Sequence, residues 1–289
     1  MHEAIIKSVT AKALGVSEDS VTVDHRLMGG MSNYTYVIQV DDAFYTFRIP
    51  GKNADQFVNR SHEKIHIDLE RPLGLNNETI YFDETTGYKI AKYLDGKPLS
   101  EENPLDYLSE AANLLHTIHE SDVQKAYPYA PFERLSRYEG YLDAYDHVHD
   151  ARYHEAKNTL LSYRDFLESH PLVFTHGDAQ ISNFLKTDDG LRLMDWEFTG
   201  MNDPFYDIAC FGNNDFSHAE SLLPVYLKRA PNTDEWNRLY LWRLFQTLQW
   251  HNVALYKHYI GLSKALSIDF YKVSNLYLDK AETMIASLK

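Results

Sequence analysis

The sequence predicts an α+β protein of two lobes: a small β-rich N-terminal lobe over residues 1–93, a hinge or linker over 94–104, and a larger, mainly helical lobe over 105–289. Three observations carry this. Hydrophobic alternation of period two dominates the first third of the chain, helical spacing dominates the rest, and LDGKPLSEENP between them reads as a connector. A chain of 289 residues is long enough for two such units and for cores that need no covalent staples.

Residues 1–10 read as a helix with Ile5, Ile6 and Val9 on one side. Val21 and Val23 then alternate with polar residues, MGGMSN (28–33) makes a Gly-rich turn, and Tyr34–Val40 and Phe44–Ile49 flank Asp41-Asp42 as a β-hairpin. Pro50-Gly51 ends it, 54–71 is helical, and Thr79–Phe82 with Tyr88–Tyr93 form another hairpin. Helical periodicity covers 105–119, 135–168, 217–229, 234–259 and 264–288. It is interrupted over 172–195, where VFTHGD leads into the hairpin FLKT-DDG-LRLM. A small β lobe joined to a helical lobe favours a ligand cleft at the junction.

Composition removes several classes. The 42 acids against 28 bases leave a net charge of -14, which disfavours nucleic-acid binding and adsorption to anionic membranes. One cysteine, Cys210, can make neither an internal disulfide nor a CxxC metal site. No signal-peptide pattern and no long apolar run occurs, so a cytoplasmic protein without membrane insertion is expected. On that reading the Asn-x-Thr triplets at Asn33 and Asn77 carry no glycan.

The stretch His176-Gly177-Asp178-Ala179-Gln180-Ile181-Ser182-Asn183, followed by Asp195-Trp196-Glu197, carries the chemistry. Phosphoryl transfer needs a carboxylate facing the attacking hydroxyl and hard oxygen ligands for Mg²⁺. An Asp, an Asn five residues later and an Asp after the next hairpin is the arrangement that protein kinases use. A hairpin between Asn183 and Asp195 can return the second carboxylate towards the first.

H-G-D-x-x-x-x-N followed by D-W-E resembles the choline kinase, ethanolamine kinase and aminoglycoside phosphotransferase superfamily, whose fold is bilobal and protein-kinase-like. The resemblance covers most of the chain, including GGMSNYTY, FRIPG, YLDGKPL and NDPFYDIA. It is nearest to bacterial choline kinases that supply phosphocholine for cell-surface decoration. It implies Asp178 as catalytic base with His176 bracing the catalytic loop, and Asn183 and Asp195 as Mg²⁺ ligands assisted by Glu197. Asp207 would tie down the loop through backbone N–H groups. Gly29, Gly30, Ser32 and Asn33 would approach the phosphates of ATP. Arg48, where protein kinases place Lys, would clamp them, with Glu63 rather than Glu70 as its partner.

Choline and ATP are the expected small-molecule substrates; the alternatives are a kinase for ethanolamine, thiamine or an aminoglycoside, or a non-catalytic pseudokinase that only binds. A quaternary ammonium is recognised by aromatic faces and a negative field. Trp242, Phe245 and Tyr256 fall on one stripe of a helix, Phe198 follows the D-W-E motif, and Asp215 (or Asn214) could supply the acid; these are the candidate choline residues. Two rival patterns are weaker. His62-Glu63-Lys64-Ile65-His66 matches H-E-x-x-H of zinc proteases but has no third-ligand motif, and His147, His149 and His154 cluster in what reads as a solvated helix face.

Overall fold

A computed structural model describes residues 2–27, 33–123 and 125–289. The chain divides into two compact units, 1–102 with 182–199 and 103–181 with 200–289.

In the first unit, helix α1 (His2–Leu14) precedes strands β1 (Val21–Leu27), β2 (Asn33–Val40) and β3 (Ala43–Pro50). Helix α2 (Arg60–Glu70) follows, then strands β4 (Thr79–Phe82) and β5 (Lys89–Lys92). These five strands form one antiparallel sheet in the order β1-β2-β3-β5-β4. Because successive side chains on a strand alternate, Phe47 and Ile49 turn to one face and Arg48 to the other. Phe47, Ile49, Ile38 and Ile90 bury against Ile6 of α1 as the core of this unit. The opposite face is left to Arg48, the residue expected to do chemistry.

The expected linker contains a strand. β6 (Lys97–Pro98) pairs with β8 (Phe184–Thr187), which pairs in turn with β9 (Gly190–Leu193) around the Asp188-Asp189 turn. Gly96 is required there, since a Cβ would meet the Lys186 carbonyl oxygen at 2.5 Å. Backbone N–H of Leu193 also donates to the Leu75 carbonyl. These cross-links group 182–199 with the first unit, whereas the sequence reading assigns it to the lobe 105–289.

The second unit contains α3 (Leu108–His119), α4 (Pro131–Asp143), α5 (Ala151–Ser162), α6 (Arg164–Glu168), β7 (Val173–Thr175), β10 (Gly200–Asn202), α7 (Phe205–Phe211), α8 (Ser217–Leu227), α9 (Thr233–Tyr259), α10 (Leu262–Leu266) and α11 (Phe270–Ser287). The single helix expected over 135–168 is broken into three. Asp146 adopts a left-handed φ of 51°, and the Asp150 side chain caps α5 by accepting from the Tyr153 N–H. The 147–149 histidines therefore lie in a loop and not on a helix face. Helix α9 starts at a capping box between Asn232 and Glu235 and is buried along nearly its whole length, packed by α4, α5, α7 and α11.

His251 of α9 lies in this packing. It is 5% exposed, its Nδ1 bonds the Ser274 carbonyl, and its ring stacks on Tyr153. Burial pushes its pKa down from 6.5 to about 4, with His149 and His147 adding to the effect and the Ser274 carbonyl and Asp150 opposing it. The unfolded chain therefore binds a proton that the folded chain refuses between these values. The contribution is whole above pH 6.5 and is lost as pH falls towards 4, a cost of about 3 kcal/mol at the acid end. His251→Gln is expected to flatten the acid limb of a plot of Tm against pH. An unaltered limb would place the acid sensitivity elsewhere.

Candidate active site

In the first unit, a closed ion network forms on the face of the sheet that carries Arg48. Its guanidinium meets Glu63 of α2 as a fork, Nη1 to Oε1 at 2.5 Å and Nη2 to Oε2 at 3.1 Å. Asn59 caps α2 by accepting from the N–H groups of Ser61 and His62, which fixes the helix start one turn before Glu63. Arg60, on the same helix face as Glu63, donates through Nη1 to Glu63 Oε2 at 2.6 Å and to Glu197 Oε2 at 3.0 Å. Asn33 Nδ2 completes the set by donating to Glu197 Oε1 at 3.1 Å.

Arg48, Arg60, Glu63 and Glu197 are all at most 8% exposed. Burial alone would raise the Glu63 pKa, but Arg48 and then Arg60 and Lys89 hold its carboxyl well below the usual range. Burial likewise opposes the Arg48 charge, and Glu63 and Glu197 override it. Glu63 is thus the partner of Arg48, while Glu70 accepts a hydrogen bond from Asn76 instead. The same bonds dispose of the H-E-x-x-H reading, because the Glu that would serve as base is held by two arginines. Among the described residues no group of three or more His, Cys, Asp or Glu could hold a metal, the 147–154 histidines included.

Asn183 and Asp195 flank the β8–β9 hairpin. Phe184 pairs with Leu193, and the Met194 N–H donates to the Asn183 carbonyl, so the two residues emerge side by side. Asp195 has φ 66° and ψ 63°, a left-handed conformation unusual for a residue with a Cβ. The Asp195 side chain is exposed to solvent, although it is surrounded by protein on its inner side. Desolvation by that protein and the Glu197 carboxylate raise its pKa, against Arg48 and Lys89. An amide oxygen beside a carboxylate short of positive charge fits Mg²⁺, which takes few protein ligands and fills its remaining positions with phosphate oxygens and water. Glu197 is committed to Arg60, Arg48 and Asn33, so its observed work is to position rather than to ligate. Gly29, Gly30 and Ser32 lie outside the described residues.

In the second unit, β7 pairs with β10 and delivers the chain directly into His176-Gly177-Asp178. Asp207 of α7, fully buried, holds this loop as expected. Its Oδ2 accepts from the His176 N–H at 2.7 Å and its Oδ1 from the Gly177 N–H at 2.8 Å, while His119 of α3 bonds Oδ2 at 3.1 Å. Gly177 has φ 79°, which a side chain would resist. The Asp178 N–H donates to His176 Nδ1 at 3.2 Å, so that nitrogen carries no proton and the ring braces the loop. Gln180 Nε2 donates to Asp178 Oδ2 at 3.1 Å, and Asn213 Nδ2 donates to Gln180 Oε1 at 2.8 Å, orienting the carboxylate through two amides.

Within the second unit, the expected choline residues Trp242, Phe245, Tyr256 and Asp215 do not form one cluster. Trp242 and Phe245 do pack together, ring centroids 5.9 Å apart, but they are 2% and 0% exposed, against Tyr206 and Phe132. Tyr256 packs with Tyr141 and Tyr145 instead. Fourteen residues along a helix is about 21 Å, so sharing a stripe with Trp242 cannot bring Tyr256 to the same small cation. Phe198 is 7% exposed and belongs to the first unit. Asp215 is exposed and spends its carboxylate on the N–H and hydroxyl of Ser217 at the start of α8. Arg60, Lys89, Gln180 and Asn213 were not expected. Arg60 had a signal, its i−3 spacing from Glu63, and Gln180 lies inside the catalytic motif.

Solved structures share this architecture throughout. The choline kinase LicA of Streptococcus pneumoniae is 25% identical, with 99% of each chain covered and a TM-score of 0.81. A LicA structure in complex with AMP is 24% identical, covering 100% of this chain and 99% of that one at a TM-score of 0.78. Among curated relatives, Protein LicA of Haemophilus influenzae is 27% identical over 187 residues, 63% of this chain. The match spans 55% of that relative's length. The protein is thus built on a protein-kinase-like fold. A sequence model of the choline/ethanolamine kinase family matches residues 25–243, and the chain belongs to that family. Among the described residues no helix is long and apolar enough to cross a membrane.

Proposed function

We propose that the chain transfers the γ-phosphoryl group of ATP to the hydroxyl of choline, giving phosphocholine and ADP in the cytoplasm, where both Mg²⁺ and ATP are supplied. The observation that carries the reaction is the Asp207-locked loop that presents Asp178 with Gln180 on one oxygen. Asp178 takes the hydroxyl proton as the alcohol oxygen bonds to the γ-phosphorus and the bond to ADP breaks. Mg²⁺, held by Asn183 and Asp195, would neutralise charge developing on the phosphoryl oxygens. Arg48, fixed by Glu63, holds the phosphates, and Asn33 adjoins it through Glu197. Positioning and electrostatics supply most of the acceleration in such reactions. Choline is supported by likeness to the choline kinase LicA and by a net charge of -14, which favours approach of a cation.

One observation favours a second acceptor class. Arg243, 2% exposed, and Lys280 both donate to the Asn213 carbonyl, at 3.0 and 2.9 Å, and neither pairs with a carboxylate among the described residues. Asn213 is the residue that bonds Gln180 beside Asp178. Two cations there suit an alcohol bearing an anionic group better than a quaternary ammonium. ADP release with Mg²⁺–ATP should therefore be measured against choline, ethanolamine, thiamine, kanamycin, glycerate and glycerol 3-phosphate. Turnover confined to choline supports the first reading and excludes the second. Turnover confined to the anionic alcohols does the reverse and leaves the roles of Asp178, Asn183 and Asp195 intact.

A further inference from the structure

Lys89 of β5 is the direct cross-strand partner of Arg48 in β3, so both side chains leave the same face of the sheet. It is 8% exposed. Glu63, Asp195 and Glu70 act on it at a distance, yet among the described residues none of them forms an ion pair or hydrogen bond with its ammonium. Two of those acids are already engaged, Glu63 by Arg48 and Arg60, and Glu70 by Asn76. Other donors in the same cluster are also unused: Arg48 Nε and Arg60 Nη2 are buried with no hydrogen-bond partner among the described residues.

An ammonium taken out of water without a contact partner is expensive, several kcal/mol before any compensation. A chain that only needed to fill this position would place an apolar residue opposite Arg48. From the pairing, the burial and the unspent donors we infer that Lys89 is a second phosphate-binding cation, which takes oxygens of the nucleotide polyphosphate beside Arg48. The two cations divide the work by their chemistry. Arg48 is clamped by the Glu63 fork and offers a fixed plane, whereas Lys89 is a point charge on a flexible stem and can follow the phosphates. The inference rests on the ATP-dependent activity of the family and is independent of which alcohol is phosphorylated.

The test is a ladder of adenosine, AMP, ADP and ATP, titrated calorimetrically with Mg²⁺ into the wild-type protein, Lys89→Met and Lys89→Arg. Lys89→Met should weaken ADP and ATP by about 10- to 100-fold, the scale of a hydrogen bond to a charged group, and leave adenosine within about twofold. The rung at which the loss begins identifies the phosphate that Lys89 holds. Lys89→Arg, which keeps the charge, should recover at least part of the lost affinity. Without nucleotide, Lys89→Met should melt no lower than wild type, since it removes a buried charge that nothing in the fold pairs. An unchanged ladder overturns the inference. So does an equal loss for adenosine and ATP, or a lowered Tm with no dependence on phosphate number, because each would make Lys89 a brace of the sheet. Should Lys89→Met fail to fold, Lys89→Gln is read by the same criteria.

Discussion

Asp195→Ala is expected to abolish ADP release. The carboxylate it removes makes no hydrogen bond to the described residues, sits in a left-handed backbone conformation, and is crowded by Glu197. None of these features helps the fold, and all are met by a cation that binds there. Metal stabilisation of a phosphoryl transition state amounts to several kcal/mol, which at 1.36 kcal/mol per decade is a loss of at least about 10³-fold. The same substitution should leave Tm in chelator unchanged or slightly higher, since it relieves a repulsion. The rise in Tm that Mg²⁺ with ADP gives the wild type should disappear. Full turnover by Asp195→Ala would remove this residue from the metal site.

Asp178→Asn is expected to lower kcat by about 10²–10⁴-fold, the usual worth of a positioned base, while the affinity for ATP stays within a few-fold. An amide can keep its bond to Gln180 and its place in the Asp207-tethered loop, so the variant should fold and melt like the wild type. What it cannot do is accept the hydroxyl proton. A kcat unchanged within twofold would mean that the proton leaves by another route and that Asp178 only orients the acceptor.

Much of this was legible in the sequence because it depends on local order. Period-two alternation located β2 and β3; the structure adds that Arg48 lies on the face opposite Phe47 and Ile49. The spacing from Asp178 to Asn183, and the hairpin from there to Asp195, follow from turn residues alone. Contacts between distant segments were not legible. Lys97–Pro98 becomes a strand only because β8 offers it an edge, and Lys89 matters only because it pairs across from Arg48. Helical stripes misled for a related reason: a stripe records angle about the axis but not height along it, so Tyr256 was grouped with Trp242. The break at 144–150 depends on backbone conformation at Asp146, for which the aspartate is a permissive residue rather than a signal.

The Arg60 contacts bear on how such an enzyme could be controlled. Kinases that are switched commonly swing the helix that carries the glutamate partner, so that the pair with the strand cation forms only on command. Here α2 is fastened twice over, by Arg48 to the sheet and by Arg60 to the 196–198 turn, through carboxylates that share their donors. Swinging it outward would part Glu63 from Arg48 and Glu197 from Arg60, leaving each buried carboxylate with only part of its counter-charge. A catalyst assembled in this way is permanently armed. Its output would follow the supply of its substrates and the removal of its product, with no dormant form of the nucleotide lobe to be called upon.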